Sequence, residues 1–233
     1  MLRAIVFDFD GVIANSEPLH FAAFRDILAE EDLSLAERDY YARYLGYDDV
    51  RAFQAIGADR SVAWTPAAIG ALVSRKAIRL EALERDMSML FPGAAAAIRR
   101  AAAAMPIAIA SGARGAEIRR VLEREDLSGC FTAVVAAEDS PASKPAPDPY
   151  LRALALLAPA FDGSLDASEC VAIEDSRWGL ESARAAGLRT VAVTHSYEAA
   201  ELDCADLIIP SLAALDLSAL THLCRRITDT GRT

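Results

Sequence analysis

Leu2-Arg3-Ala4-Ile5-Val6-Phe7-Asp8-Phe9-Asp10-Gly11-Val12 opens the chain with an apolar run that ends in two carboxylates. From Ala4 to Phe9 the run is continuous rather than alternating, the pattern of a strand buried on both faces in a parallel sheet. Asp8 and Asp10 are separated by one residue, so in an extended chain their side chains point the same way. In a parallel sheet that side opens at the carboxyl end of the strand, where such folds bind ligands. The plainer alternative is that Asp10-Gly11 only makes a turn, a common use of that dipeptide.

Similar short runs recur further along: Ile107 to Ala110, Ala133 to Ala136, Val171 to Ile173, Thr190 to Val193 and, more weakly, Leu207 to Ile209. Between the later runs lie helical patterns of the length a right-handed crossover needs, such as Ala116 to Leu127 and Pro149 to Leu157. Another helix starts near Trp178 and has Gly187 placed as its C-terminal cap. Together these predict an α/β, doubly wound, Rossmann-like parallel sheet.

The stretch from Asn15 to Met89 has helical periodicity and no run of the buried-strand type. Phe21, Phe24 and Leu28 fall on one helical face, Val50, Phe53 and Ile56 on another, and Thr65-Pro66 reads as an N-cap followed by proline in the first turn. An insert this long is no crossover loop. It predicts an all-helical cap domain over residues 15–89, carried on a core of residues 1–14 and 90–233, with hinges at Asn15 to Pro18 and Phe91-Pro92-Gly93.

With 53% hydrophobic residues among 233, the chain has enough material for one substantial core and a second lobe. Its 24 basic and 34 acidic residues give a formal charge of -10, which repels phosphate backbones and anionic lipid, so neither nucleic acid nor membrane is an expected partner. Arg99-Arg100 and Arg119-Arg120 fall in amphipathic helical stretches and read as solvated faces. The cysteines at 130, 170, 204 and 224 have no CxxC or Cys/His spacing, which argues against zinc and a disulfide framework and for reduced core thiols in a cytoplasm. The start of the chain lacks the pattern of a signal peptide, and Arg99 and Arg100 interrupt the Ala-rich stretch from Ala94 to Ala104, so no span is expected there. A monomer is expected, with a dimer left open.

Three further strand ends carry polar chemistry. Ala110-Ser111-Gly112 precedes a helix, where a hydroxyl and free backbone N–H groups form a phosphate cradle, although Ser-Gly is also an ordinary loop. Ser143-Lys144-Pro145-Ala146-Pro147-Asp148-Pro149 sets one lysine among three prolines; it is a rigidly held ammonium or a solvated one. Ile173-Glu174-Asp175-Ser176 again puts carboxylates at a strand end, with N-capping by Asp175 or Ser176 as the modest reading. Read together, a carboxylate nucleophile, a hydroxyl cradle, a lysine and a second acidic site on one edge of a sheet are what phosphoryl transfer through an aspartyl phosphate needs.

In these four motifs, taken in order, the chain resembles the haloacid dehalogenase superfamily, and the resemblance extends to the position of its α-helical cap. DFDGV, SG, SKPAPDPY and IEDS are similar to the branch that holds β-phosphoglucomutase and the phosphoglycolate phosphatase-like enzymes. The resemblance implies Asp8 as nucleophile and Mg2+ ligand, and Asp10 as general acid and then base, with its backbone carbonyl on the metal. It also implies Asp175 and Glu174 as further ligands, Lys144 as the neutralising cation, and Ser111 and Gly112 as the phosphoryl cradle, with Arg114 a neighbour.

In the insert, Ile69, Leu72, Val73, Lys76, Leu80 and Leu83 share a stripe, so Lys76 interrupts an apolar face. It reaches a substrate or its ammonium snorkels to water. His20, just after the hinge, either meets the leaving group or is structural, and His195 and His222 show no partner pattern.

The expected activity is a Mg2+-dependent phosphatase for a small phosphorylated metabolite. Asp10 argues against the superfamily's dehalogenases and phosphonoacetaldehyde hydrolases, which the resemblance implies would lack it. A phosphohexomutase of the β-phosphoglucomutase type is the main alternative, since it resembles this chain at His20 and Lys76. Those mutases grip a second phosphate with an arginine shortly after the glycine matched by Gly46, whereas this chain reads Gly46-Tyr47-Asp48-Asp49-Val50-Arg51. A non-catalytic phosphometabolite sensor is the remaining alternative.

Overall fold

The structure, a computed structural model, describes residues 1–45, 47, 49–86 and 88–225. In chain order its main elements are β1 (Ala4–Phe7), α1 (Glu17–Glu30), α2 (Glu37–Arg43), α3 (Asp49–Asp59), α4 (Pro66–Asp86) and α5 (Ala94–Ala104). There follow β2 (Ile107–Ala110), α6 (Gly115–Arg124), β3 (Ala133–Val135), α7 (Asp148–Leu157), β4 (Cys170–Glu174), α8 (Arg177–Ala185), β5 (Arg189–Val193), β6 (Leu207–Ile209) and α9 (Leu217–Arg225).

All six strands pair in parallel in the order β3-β2-β1-β4-β5-β6. The central strand β1 lies between β2 and β4, with Ile5 in register with Ile107 on one side and Val171 on the other. After β3 the chain crosses from one half of the sheet to the other, which makes the β1/β4 gap the topological switch point. Alternate residues of β1, Ala4 and Val6, join Ala108, Ala110 and Ala172 in a cluster with Tyr150, Ala153 and Leu157 of α7 and Ala183 of α8. The intervening Ile5, Phe7, Ile107, Ile109 and Ile173 are fully buried as well. Small residues on one face and large ones on the other explain why the runs read as continuous rather than alternating.

The chain divides into two compact units, Met1–Asn15 with Leu90–Thr233, and Ser16–Met89. In the first, the two chain crossings are tied together: Leu90 bridges Ala14, and the Phe91 N–H donates to the Ile13 carbonyl at 3.0 Å. The second has no strand among its described residues, and its core gathers Phe24, Leu28, Tyr40, Phe53, Ile56 and Leu72, with the Phe24 and Phe53 rings 4.9 Å apart. Thr65 caps α4, its hydroxyl accepting from the Ala68 N–H at 3.2 Å.

Val50, expected on one face with Phe53 and Ile56, is instead 45% exposed. The buried face of α3 is Ala52, Phe53, Ile56 and Gly57, and Val50 lies in the first turn, beyond its end. Two of the expected core thiols, Cys130 and Cys204, are only half-buried, while Cys170 and Cys224 are buried, and all four are free. Arg99, Arg100, Arg119 and Arg120 are exposed. Among the described residues no helix is long and apolar enough to cross a membrane.

Candidate active site

β1 ends at Phe7, and Asp8 continues its path, donating its N–H to the Ile173 carbonyl of β4 at 2.9 Å. The next residues close a tight turn: Ile13 and Ala14 both return N–H groups to the Phe9 carbonyl, and Gly11 donates to Ala14 at 2.9 Å. Asp8 is therefore set by the sheet and Asp10 by the turn. Gly11 has φ +77°, and a Cβ there would fall 1.9 Å from Asp175 Oδ2, so only glycine lets the turn approach that carboxylate.

From the adjacent strand β4 come Glu174, fully buried, and Asp175, 7% exposed. Candidate ligand oxygens of Asp8, Glu174 and Asp175 all lie within 4.8 Å of one another. The Lys144 ammonium sits between two of them, 2.7 Å from Asp8 Oδ1 and 2.6 Å from Glu174 Oε1. Its loop is pinned from behind by the Ser182 hydroxyl of α8, which donates to the Ala146 carbonyl at 2.5 Å. Lys144 is thus a held ammonium and not a solvated one.

Burial pushes the Asp8 carboxyl well above its ordinary value; Lys144 opposes this, while Glu174 and Asp175 add to it. Burial likewise raises Asp175, to about 6, against the hydrogen bond from Ser196. Burial works against the Lys144 charge, but Asp8 and Glu174 outweigh it and hold the ammonium above its usual range. Three buried carboxylates share one ammonium, so the pocket carries more negative charge than it can stabilise alone. Hard oxygen donors in that number and spacing fit a divalent cation of the Mg2+ type.

Several residues of the cluster gave no sequence signal of their own. Tyr150 is fully buried and donates its hydroxyl to Glu174 Oε1 at 2.6 Å, with the Lys144 ammonium 5.2 Å from its ring centre. It ends the SKPAPDPY segment, and its place one turn into a helix after a lysine loop was the available clue. A Cβ at Gly179 would fall 1.9 Å from Glu174 Cδ, so α8 can cover that carboxylate only with glycine at its first inward position. Ser196 donates its hydroxyl to Asp175 Oδ2. His195 Nδ1 lies 2.8 Å from the Gly11 carbonyl, and its ring stacks on Phe91.

Ser111 is buried at the end of β2, next to β1; its hydroxyl oxygen accepts from the Ala113 N–H at 3.0 Å. Gly112 is exposed, and Arg114 is exposed at the N-cap of α6. Ser176 caps α8, accepting from the Gly179 N–H at 3.2 Å, so the capping reading holds for Ser176.

In the helical unit Lys76 is 1% exposed. Its ammonium does not snorkel to water; it lies 2.7 Å from Asp49 Oδ1, 2.9 Å from His20 Nδ1 and 4.7 Å from the centre of the Phe24 ring. A lysine donates only, so Nδ1 of His20 accepts and the imidazole is neutral. Burial, reinforced by Lys76, pulls the His20 pKa down to about 4. Gly46 and Asp48 lie outside the described residues. Arg51 stacks over Tyr47, 4.1 Å from its ring centre.

A buried carboxylate cluster around one lysine, at the switch point of a sheet, costs stability that a packed apolar core would not, and it is retained where chemistry is done. The fold and the cluster are those of a hydrolytic enzyme. The model of the haloacid dehalogenase-like hydrolases matches residues 2–187, and the chain belongs to that family.

Among its relatives is protein CbbY of Rhodobacter capsulatus, 33% identical over 234 residues that cover 95% of this chain and 99% of that one. Hexitol phosphatase B of Escherichia coli is 29% identical over 197 residues, 82% of this chain and 83% of its own length. Among solved structures, CbbY from Rhodobacter sphaeroides in complex with phosphate superposes with a TM-score of 0.72 at 27% identity, covering 94% of this chain and 99% of that one.

Proposed function

We propose that the protein is a Mg2+-dependent phosphatase that hydrolyses a small phosphorylated metabolite, a sugar phosphate or similar, by way of an aspartyl phosphate, an acyl phosphate on Asp8. The observation that carries this reading is the buried Asp8 carboxylate at the end of the central strand, 2.7 Å from the Lys144 ammonium and grouped with Glu174 and Asp175. Two of the relatives, hexitol phosphatase B and CbbY in complex with phosphate, support the substrate class.

In the first half-reaction Asp8 attacks phosphorus, and the departing ester oxygen takes a proton from Asp10. In the second, water attacks phosphorus, Asp10 removes its proton, and Asp8 is released with inorganic phosphate. The Ser111 hydroxyl and the Gly112 N–H hold phosphoryl oxygens, with Arg114 at their edge. Lys144 offsets the charge that gathers there; at an effective dielectric near 20, one unit charge at about 4 Å is worth about 4 kcal/mol before desolvation.

Asp8, Asp175 and the Asp10 carbonyl would hold the divalent ion, with Glu174 contributing Oε2, whose contacts to the Asp175 N–H and the Ser176 hydroxyl are both 3.3 Å. Glu174 Oε1 is occupied by Lys144 and Tyr150. Bound there, the ion supplies the positive charge that lets a carboxylate approach a phosphate dianion.

The mutase alternative draws on the His20 and Lys76 pair, which lie 2.9 Å apart. Asp49 favours the phosphatase: it stands where the mutases' arginine region falls, and it takes up the Lys76 charge at 2.7 Å instead of leaving it for a second phosphate. The test is phosphate release from a panel of sugar, polyol and small-acid phosphates in Mg2+, run beside β-glucose 1-phosphate with catalytic bisphosphate. Free phosphate from the panel is expected. Fast glucose 6-phosphate with negligible free phosphate would establish the mutase, and tight binding without turnover would leave a sensor.

A further inference from the structure

After β5 the chain turns back over the end of β1, and this loop carries His195 and Ser196. His195 Nδ1 is 2.8 Å from the Gly11 carbonyl. A carbonyl only accepts, so Nδ1 carries the proton and donates it. The imidazole lies flat against Phe91, ring centres 3.8 Å apart and planes 17° from parallel. Phe91 in turn donates its N–H to Ile13, the far side of the same turn.

These contacts act on Gly11 from both ends of its residue. Its N–H is held by Ala14 and its carbonyl by His195, and together they fix both torsions of a residue at φ +77° that has no side chain to restrain it. Asp10 shares a peptide plane with Gly11. The Ala14 bond holds that shared plane and the His195 bond holds the next one, Gly11–Val12, so the turn from which the Asp10 side chain leaves is held on both sides of Gly11, and general acid catalysis demands hydrogen-bond geometry at the leaving oxygen.

We infer that His195 is a positioning residue for Asp10, acting through the Gly11 carbonyl, and that Phe91 holds the imidazole flat for this purpose. The inference rests on the reading of Asp10 as the general acid. It assigns the loop after β5 a part in the reaction that none of the four motifs contains.

The test uses His195→Asn and His195→Leu. The two replacements have the same shape, and both lose the ring stack; only Asn keeps a donor near the place of Nδ1. Each is assayed for kcat/KM on an alkyl sugar phosphate, whose leaving alkoxide needs a proton, and on p-nitrophenyl phosphate, whose leaving phenolate does not. With the alkyl ester, His195→Leu is expected to fall about tenfold or more below His195→Asn. With the aryl ester the two should agree within about twofold.

Equal values for the two variants on the alkyl ester, or an equal loss on both esters, would overturn the inference. Should His195→Leu not fold, His195→Ala, which also lacks a donor, takes its place: the same selective loss on the alkyl ester is expected, and an alkyl-to-aryl ratio equal to that of the unsubstituted protein overturns the inference. Asp10→Ala is run beside them. If that variant shows no preference for the aryl ester, the general-acid reading fails on its own account, separately from His195.

Discussion

On the proposed reading single residues carry the chemistry, and the clearest of them is Asp8. Asp8→Asn keeps an oxygen for Lys144 and the backbone bond to Ile173, so the fold should persist while turnover disappears; an active, folded Asp8→Asn protein would refute the nucleophile. Two glycines test the packing of the same cluster. Gly179→Ala would place a Cβ within 1.9 Å of Glu174, and the buried carboxylate with its lysine would have to move. Overpacking combined with a broken buried ion pair should lower stability by about 3 kcal/mol or more in urea unfolding. A Cβ at Gly112 meets nothing within 4 Å, so Gly112→Ala should change stability by less than about 0.5 kcal/mol. Asp8, Lys144, Glu174 and Asp175 were readable because each ends a strand or follows one in a short local pattern. Tyr150, Gly179, His195 and Ser196 were not, because each gains its role only from a partner on another strand or helix.

At the scale of elements, the strands were legible and one helical contact set was not. Buried runs mark β1, β2, β4 and β5 plainly because these inner strands are covered on both faces; β3 and β6 are the two edge strands, each only partly buried, and of these β6 gave the weaker run. Lys76 stood out as a charge on an apolar stripe of α4, but its partners come from α1 and the start of α3, and no sequence spacing links those three helices. Val50 was misread for the converse reason: its spacing suits the face, and the packing ends before it. The His20 and Lys76 contact has a pH signature. His20 titrates near 4 when folded and near 6.5 when unfolded, so below about 6.5 the unfolded chain takes up a proton that the folded one refuses. Stability from this site is full above pH 6.5, declines through the window, and is lost once pH passes below 4. The decline between pH 7.5 and 4.5 should be about 2 kcal/mol larger in the native protein than in His20→Asn, measured by urea unfolding at both pH values. Identical pH dependence in the two proteins would show that His20 is not held neutral.

On the scale of the whole molecule, the same cluster links function to stability. Its members come from Asp8 near the start of the chain and from Lys144, Glu174 and Asp175 far beyond the helical insert. They meet only when β1 and β4 pair, so the unfolded chain offers no comparable site and a divalent ion held by them would bind the folded state alone. The crowded carboxylates, raised by burial, are also the groups a cation relieves most. Mg2+ at a hundred times its dissociation constant should therefore add about 2.7 kcal/mol. For a unit of this size that is a rise of about 5–10 °C in the midpoint of the thermal transition containing the sheet. Chelator should reverse the rise and the activity together, and Asp175→Asn should reduce the response to Mg2+ while keeping the fold. Metal-independent turnover in chelator, or a midpoint that ignores Mg2+ in the active protein, would remove the ion from the site. A rise that survives Asp175→Asn undiminished would instead place the ion elsewhere, because that carboxylate, braced by Ser196 and approached by Gly11, is the one the turn after β1 is shaped to admit.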